Sequence, residues 1–375
     1  MIYLDNAATG FPKSRKVADA MLFAHEFCGN AGRSGHKLSI QSAETVYECR
    51  KNIAKLFNTV PEYVILTSGA TEALNIAING VVGKNDRKGN VTVTSDLEHN
   101  SVMRPLYALK QKKQTSIRQF RVDFKNDFLT AERFSYVCRG AKTAVVTHAS
   151  NVCGKILPIK EMCGMKDKDT VFILDASQSA GHFPIDIRDL GVDIMCIPGH
   201  KGLYGPMGTG ALIINPESKV SISPLLYGGT GTNSKSYEMP SLYPERLEAG
   251  TQNICGIAGL SASVKEFCYP DRESELFRYL VSEMKNMVDI ILYGAPNESV
   301  EGYVPVLLFN KKNKNCDEVC DILSDNGIYC RAGFHCAPSA HRAIGSYETG
   351  GVRVSLGRDT EESDIETFLS VLKTI

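Results

Sequence analysis

Side chains able to take part in catalysis follow several short β-rich runs of the sequence. His99, Asn151 and Asp175 each come soon after such a run, and the pair His200 and Lys201 follows another. A lysine is able to form a Schiff base, an aspartate to keep a pyridine nitrogen protonated and a histidine to stack on a ring. Each residue alone is more often a helix cap, a solvated side chain or a satisfied buried group. Their convergence on successive runs predicts a site for a pyridine cofactor that carries a phosphate.

A small turn after the first of these runs is a candidate phosphate site. The residues Ser68-Gly69-Ala70-Thr71-Glu72 open a helical pattern. Free backbone N–H groups and the positive end of the helix would favour a phosphate there, with the Thr71 hydroxyl as a further donor. The alternative is a plain helix start with Thr71 as the N-cap and Glu72 in the first turn. The turn taken alone favours this alternative.

The runs that precede these residues alternate with helical patterns. Strands are predicted at 64–67, 91–94, 144–147, 171–174, 193–197 and 210–214. Alternating strands and helices are typical of crossover units, so the fold class is predicted to be α/β with a mostly parallel sheet. Runs that are apolar throughout fit a sheet that is buried on both faces. Ligands of such sheets bind beyond the carboxyl ends of the strands, which is where the polar residues lie.

The pattern changes after about residue 260. Helices are predicted at 276–288, 316–326 and 361–372, and strands at 304–309 and 351–356. This mixture predicts a smaller α+β domain at the C-terminal end. We therefore divide the chain into a large domain, residues 13–260, and a small domain made of residues 1–12 and 261–375.

Composition argues against several classes of function. The chain has 375 residues with 42 basic and 42 acidic side chains, so no net positive field favours a nucleic acid. No apolar run approaches the roughly 20 residues that span a bilayer, and the N-terminus does not resemble a signal peptide. Twelve cysteines in this context favour reduced thiols in the cytoplasm. Cys316 and Cys320 lie four apart without a second pair at zinc spacing, so no metal site is expected.

Two residues near the C-terminus suit an amino-acid substrate. Arg353 carries a guanidinium that is able to bind a carboxylate through two hydrogen bonds, although a strand arginine is often merely exposed. Cys336 follows Arg331, Gly333 and His335 in a polar segment that would favour a thiolate. The alternative for Cys336 is one more buried thiol. No specific partner is visible for His36, His148, His182 or His341, which are expected to be structural.

Several motifs in combination resemble those of class V aminotransferase-fold enzymes, and within them the cysteine desulfurase and selenocysteine lyase family. The motifs are Tyr3 to Thr9, Thr67 to Asn75, Glu98 to Val102, Asp175 to Gln178 and Gly199 to Lys201. Gly32 to His36 and Arg331 to Ala337 resemble the type II (SufS-like) branch more closely. The short stretch between Cys336 and the strand at Gly351 also suits that branch. The resemblance extends through nearly the whole chain.

The resemblance implies a pyridoxal 5'-phosphate (PLP) enzyme of transferase fold type I that works as a homodimer. A mostly parallel mixed sheet between helices would form its large domain, and the smaller α+β C-terminal domain would carry the catalytic cysteine loop. The residues implied to bind the cofactor are Lys201 through a Schiff base, Asp175 at the pyridine nitrogen, Gln178 at the ring hydroxyl, His99 by stacking, Ala70, Thr71 and His200 at the phosphate, and Thr251 at the phosphate of the neighbouring subunit.

The same resemblance implies that the enzyme converts L-cysteine into L-alanine. The residues implied to bind the substrate are Asn151, Arg331 and Arg353. Lys201 would move the Cα proton, with His99 as a further proton donor or acceptor. Cys336 would take the sulfur as a persulfide and pass it to an acceptor protein. Three alternatives stay open: a selenocysteine lyase acting on L-selenocysteine, a class V transaminase or β-eliminating lyase, and a non-catalytic PLP-binding or sulfur-relay protein.

The chain departs from the family at two positions. Pro198 stands where the family usually has a serine whose hydroxyl binds the phosphate, and Gly202 is an extra residue between Lys201 and Leu203. Both differences are expected to change the geometry around the phosphate and to leave the Schiff base intact.

Overall fold

The computed structural model of the chain describes residues 1–31, 35–83, 90–232, 234–297 and 299–375. Residues 32–34, which belong to the predicted motif Gly32 to His36, lie outside the described residues.

A mixed sheet forms the centre of the larger part of the molecule. In spatial order, its strands within the described residues are β2 (Val64–Thr67), β8 (Gly210–Ile214), β7 (Ile194–Pro198), β6 (Val171–Asp175), β5 (Thr143–Thr147), β3 (Val91–Ser95) and β4 (Ser116–Phe120). Strand β8 is antiparallel to its two neighbours β2 and β7, and the neighbours from β7 to β4 pair in parallel. The predicted α/β class with a mostly parallel mixed sheet is confirmed.

Helices cover both faces of this sheet. One face packs against α2 (Lys37–Phe57), α5 (Asp127–Cys138), α6 (Ile159–Met165) and α8 (Ile254–Lys265), and the other against α3 (Ala70–Val82) and α4 (Asn100–Gln111). Helix α1 (Arg15–Phe27) lies on α8, and the short α7 (Ile187–Leu190) precedes β7. The neighbouring residues Val145 and Val146 belong to cores on opposite faces. Because successive side chains of a strand alternate between faces, a sheet covered on both sides needs apolar residues at every position.

Strand β4 is absent from the sequence-based prediction. It pairs with β3 at the edge of the sheet, and Ser116, Arg118 and Gln119 are exposed on it. An edge strand with one solvated side lacks the continuous apolar run by which the inner strands are recognised.

The C-terminal part contains a second, antiparallel sheet. Its strands among the described residues are β12 (Arg331–Gly333), β13 (Gly351–Ser355), β10 (Val306–Lys311) and β9 (Ile290–Tyr293). The helices that pack on it are α9 (Glu273–Lys285), α10 (Cys316–Asp325) and α12 (Glu362–Thr374). Together they enclose an apolar core of their own, which includes Phe309 and Phe368. Helix α9 corresponds to the helix predicted at 276–288 and begins three residues earlier, at Glu273.

The N-terminal segment joins this second core. Strand β1 (Ile2–Tyr3) pairs in parallel with β11 (Ile328–Tyr329), and Leu4 is buried in the same core. Helix α11 (Pro338–Ile344) follows β12 and faces the large sheet's core through Ala340. In the part of the chain that the structure describes, no helix is both long and apolar enough to cross a lipid bilayer.

Candidate active site

The carboxyl ends of the parallel strands bring the predicted residues together. Asp175 is the last residue of β6, Lys201 lies in the turn between β7 and β8, and His99 precedes α4. The charge of Asp175 acts on the pKa of both His99 and Lys201, which requires the three side chains to be neighbours. Parallel strands end at a common edge, so the sequence alone was sufficient to predict this meeting.

Lys201 is mostly buried and has an amine that is easily deprotonated. Its pKa is lowered to about 8, mainly by burial; the Asp175 carboxylate opposes this effect and the guanidinium of Arg353 adds to it. Lys201 Nζ makes no hydrogen bond or ion pair among the described residues. A lysine amine without a partner and with a lowered pKa suits attack on an aldehyde, which the neutral form carries out.

Asp175 keeps one carboxylate oxygen available. Its Oδ1 accepts hydrogen bonds from the backbone N–H of Ser177 at 3.0 Å and from the Ser177 hydroxyl. Within the described residues, no hydrogen bond reaches Oδ2, although the residue is only 2% exposed. The orientation of Asp175 is therefore fixed by Ser177, while Oδ2 is left to accept a hydrogen bond from a ring N–H.

His99 is neutral and carries its proton on Nε2. The pKa of His99 is lowered to about 4, mainly by burial. The charge of Asp175 opposes this effect and the charge of Lys201 adds to it. The backbone N–H of Ser101 donates to His99 Nδ1 at 3.0 Å, and the Ser101 hydroxyl lies 2.8 Å from the same atom. Because Nδ1 is an acceptor, the neutral ring has its hydrogen on Nε2.

The turn before α3 is open to an anion. The N-cap of α3 is Gly69, which provides no side-chain cap, so the alternative in which Thr71 is the N-cap is wrong. The Thr71 hydroxyl lies 3.0 Å from the Ser101 hydroxyl, which connects the turn to His99. First-turn N–H groups that no described side chain caps, at the positive end of a helix, suit a phosphate.

The other residues predicted around the cofactor divide into two groups. His200 Nδ1 lies 3.1 Å from the Thr9 hydroxyl, and Gln178 Nε2 donates to the Ala7 carbonyl at 2.9 Å. Both therefore contact the N-terminal segment. Thr251 lies on another surface, where it lines a cavity of about 900 Å³ that also contains the buried Arg50–Glu248 ion pair.

The three predicted substrate residues meet around an aspartate that sequence reasoning missed. Asp5 accepts from Arg331 Nε at 2.9 Å and from Arg353 Nη2 at 2.7 Å. Arg353 Nη1 donates to the Asn151 carbonyl at 3.1 Å, which leaves its buried Nε without a partner among the described residues. A guanidinium with an unused, buried N–H suits the carboxylate of a ligand.

Cys336 is exposed in the short segment, residues 334–337, that links β12 to α11. Cys336 and the preceding His335 both have left-handed backbones, with φ of 56° and 50°. The Cys336 carbonyl accepts from the backbone N–H of Asn100 at 2.8 Å, and the His335 carbonyl accepts from Asn151 Nδ2 at 2.7 Å. These bonds fix the thiol beside the helix start that carries His99.

The structure gives a reason for Gly202. A Cβ at this position would lie 2.5 Å from the Ala180 carbonyl oxygen, so only glycine fits against the neighbouring loop. Pro198 is the last residue of β7 and is paired with Gly210. Among the described residues, no three His, Cys, Asp or Glu side chains are arranged to hold a metal ion.

Three groups that sequence reasoning passed over support the predicted residues. Ser101 fixes the tautomer of His99, Ser177 orients Asp175, and Asp5 holds two arginines. Ser101 and Ser177 each lie two residues after their partner, a spacing typical of side chains that accept from a nearby backbone N–H. Asp5 gave no local signal, because its partners lie more than 300 residues away along the chain.

Comparisons with known proteins cover the whole chain. The family model for class V aminotransferases matches residues 2–368. A probable cysteine desulfurase of Methanothermobacter thermautotrophicus is 30% identical over 391 residues, spanning 100% of this chain and 94% of the relative. One of Pyrococcus abyssi is 31% identical over 384 residues with the same coverage. The solved apo cysteine desulfurase of Thermococcus onnurineus NA1 superposes with a TM-score of 0.91 at 29% identity, covering 100% and 94% of the two chains.

Proposed function

The chain belongs to the class V aminotransferase family, and from this we propose that it is a PLP-dependent cysteine desulfurase. It converts L-cysteine into L-alanine and receives the sulfur on Cys336 as a persulfide. The observation that carries the proposal is the docking of the Cys336 segment, through Asn100, beside the Lys201 and Asp175 pair. The curated relative of Methanothermobacter thermautotrophicus is described as a probable cysteine desulfurase, and the solved protein of Thermococcus onnurineus NA1 as a cysteine desulfurase. The match covers 94% of each of these two chains.

The donor set fits the cofactor. Lys201 offers an amine with a lowered pKa, Asp175 a carboxylate oxygen without a hydrogen bond among the described residues, and the uncapped start of α3 offers N–H groups from Ala70 and Thr71. We therefore propose that these residues hold PLP, with His99 against the ring and with His200 and Gln178 as further contacts. When bound, PLP supplies an electron sink that stabilises negative charge at the substrate Cα.

The chain's own residues position the substrate and move its protons. The buried Nε of Arg353, together with Asn151, would bind the α-carboxylate, and Arg331 would support it from the exposed side. With the amino acid bound, the Lys201 amine would take its Cα proton. A pKa of about 8 leaves a substantial neutral fraction of Lys201 near that pH. His99, with its N–H on Nε2, would donate a hydrogen bond at the ring.

Cys336 would act as the nucleophile on sulfur. A bond forms between Cys336 Sγ and the substrate sulfur while the substrate Cβ–S bond breaks, and the electron pair left on Cβ takes up a proton as alanine forms. An acceptor thiol then attacks the outer sulfur and releases the Cys336 thiolate. Arg331 lies near Cys336: the pKa of the Arg331 guanidinium is raised mainly by its hydrogen bond with Asp5 and to a smaller extent by the charge of Cys336.

We propose a homodimer in which Thr251 of the partner subunit completes the phosphate site. Thr251 lines a cavity rather than the Lys201 cluster of its own chain, and the neighbouring segment exposes Leu226 and Tyr227 at 53% and 75%. Large apolar side chains at that exposure are typical of an interface. We also propose the division into a large domain, residues 13–260, and a small domain. A cytoplasmic location is proposed because the cysteines are free thiols.

Mass spectrometry of the protein after exposure to L-cysteine tests the proposed function. One additional sulfur on the peptide that contains Cys336, together with alanine as product, is the expected result. Absence of both would contradict the proposal, and a keto acid with transfer of the amino group would indicate a transaminase instead. Membership of the type II branch stays a prediction, and so does a preference for cysteine over selenocysteine. Turnover of both amino acids by Cys336→Ala tests the second prediction, because selenocysteine needs the Cys336 thiol less.

A further inference from the structure

A chain of hydrogen bonds lies directly behind Cys336. The imidazoles of His335 and His341 lie side by side, with ring centroids 5.6 Å apart and planes inclined by 10°. His335 Nε2 lies 3.2 Å from the Arg331 carbonyl oxygen, and its Nδ1 lies 3.4 Å from His341 Nε2. His341 Nδ1 lies 2.8 Å from the Ser346 hydroxyl. The chain therefore runs from β12, through both rings, to the segment after α11.

The direction of every donor in this chain follows from its end. A carbonyl oxygen only accepts, so His335 carries its hydrogen on Nε2 and donates it to Arg331. In a neutral ring, His335 Nδ1 is then an acceptor, and His341 Nε2 must donate to it. His341 Nδ1 in turn accepts from Ser346. Burial supports two neutral rings, since it lowers the pKa of His335 to about 3 and also lowers that of His341.

His341 connects the two ends of the segment that carries the thiol. The left-handed backbone at His335 and Cys336 is uncommon for residues with side chains and persists only where the surroundings impose it. The His341 ring is 0% exposed and packs against Phe334 at 5.2 Å between centroids, so it is itself held in place. Through His335 it fixes the start of the segment, while its own position in α11 fixes the end.

We infer that His341 is a positioning residue for Cys336: it holds the orientation of His335, whose tautomer the Arg331 carbonyl fixes, and thereby holds the backbone of Cys336 in its left-handed conformation. The inference rests on the proposed function, because it needs Cys336 as the nucleophile. His341 contacts neither the Lys201 cluster nor the Asp5–Arg353 pair among the described hydrogen bonds. It therefore acts through His335 on the segment that carries the thiol.

Two substitutions of His341 separate the hydrogen bond from the volume. His341→Phe keeps an aromatic ring at this position and loses the hydrogen bonds to His335 and Ser346. In His341→Gln an amide N–H is retained that is able to donate to His335 Nδ1. We expect His341→Phe to lower kcat for alanine formation from cysteine by at least about tenfold, because small displacements of a reacting group cost large factors in rate. We expect KM to stay within about twofold and His341→Gln to recover most of the rate.

Two further readouts keep a positioning role apart from general damage. Exchange of the L-alanine Cα proton with solvent deuterium uses Lys201 and not Cys336, so it should be unchanged in His341→Phe holoenzyme. The Asn100 amide, which donates to the Cys336 carbonyl, should exchange its hydrogen faster in this variant, because the segment is less restrained. Ser346→Ala, at the far end of the chain, should show the same pattern more weakly.

The outcomes have separate meanings. Wild-type rates of alanine formation in His341→Phe, or equal losses in cysteine turnover and Cα-proton exchange in both His341 variants, would overturn the inference. If His341→Phe fails to fold, the pattern in His341→Gln and Ser346→Ala decides in the same way. Failure of the proposed function looks different: wild-type protein would then form no persulfide on Cys336.

Discussion

Asp5 and Arg353, which lie 348 residues apart in the chain, form a buried ion pair at 2.7 Å between Oδ1 and Nη2. Their side chains are 11% and 4% exposed, and Asp5 Oδ2 accepts from Arg331 as well. The N-terminal segment is thus a structural part of the proposed substrate site. Because Asp5 occupies only Nη2, the buried Nε of Arg353 keeps its hydrogen for a ligand.

Substitution Asp5→Asn should weaken both stability and substrate binding. It leaves the buried Arg353 guanidinium without its counter-charge, and breaking a buried pair by removing one partner costs about 3–5 kcal/mol. Urea unfolding should show this loss, and the KM for cysteine should rise because Arg353 is no longer held. The matched control is Asp359→Asn, whose exposed pair with Arg358 should contribute less than about 1 kcal/mol. Equal effects of the two substitutions would contradict the role of Asp5.

The rate of reloading cofactor-free protein with PLP should rise with pH through about 8. Only the neutral amine attacks the aldehyde, and burial lowers the Lys201 pKa to about 8. Asp175→Asn should move the midpoint to lower pH, because the carboxylate raises that pKa. Arg331→Gln should move it to higher pH, because the guanidinium lowers it. Stopped-flow absorbance of the lysine-bound cofactor gives the midpoints, and shifts of the same sign in both variants would refute the assignment of Lys201.

Sequence reasoning reached the residues whose position follows from strand ends. Asp175 ends β6 and Lys201 lies three residues after the end of β7; the apolar runs of both strands are visible in the sequence, and parallel strands place such residues at one edge. Thr251 lies on another surface, so a single chain does not test its predicted contact with a neighbouring subunit.

Contacts between distant segments were beyond the reach of sequence patterns. The pairing of β1 with β11 joins residues 2 and 328, and nothing in either short strand specifies the other. His341 is expected to be structural because the sequence shows no specific partner for it. Its contact with His335 depends on the left-handed turn between them, which the sequence does not reveal. Asp5 was quoted only within a motif. Long-range pairing and backbone strain are properties of the folded chain, and local spacing does not encode them.

Cys336→Ala should abolish desulfuration and spare the cofactor. The variant lacks the sulfur nucleophile, so alanine formation from cysteine should fall by at least about 100-fold, while the visible absorbance of the lysine-bound cofactor is unchanged. Cys268→Ala is the matched control, because Cys268 is also an exposed cysteine and lies outside the site. Alanine production and the ultraviolet–visible spectrum are the measurements. Comparable turnover in the two variants would exclude Cys336 as the nucleophile.

Glu98 makes the stability of the protein depend on pH in a direction opposite to that of most carboxylates. Its pKa is raised to about 8, mainly by burial; the hydrogen bonds that it accepts oppose this effect and the nearby charge of Asp175 adds to it. Its Oε1 accepts from the backbone N–H groups of Ser95 and Thr147, at 3.2 and 3.0 Å, and Oε2 is buried without a partner among the described residues. The side chain is therefore an uncharged acid at neutral pH in the folded state.

The sign of the effect follows from counting protons in the two states. Between a pKa near 4.5 in the unfolded chain and about 8 in the folded one, the folded state binds more protons. Its stability consequently falls as the pH rises through this window, by up to about 1.4 kcal/mol per pH unit for one group. Glu98→Gln removes this dependence, so the variant should gain stability over the wild type with each step from pH 5.5 to 8. Urea unfolding at several pH values measures it, with the exposed Glu132→Gln as a control whose curve should follow the wild type. Parallel curves for Glu98→Gln and the wild type would mean that Glu98 is ionised in the folded protein.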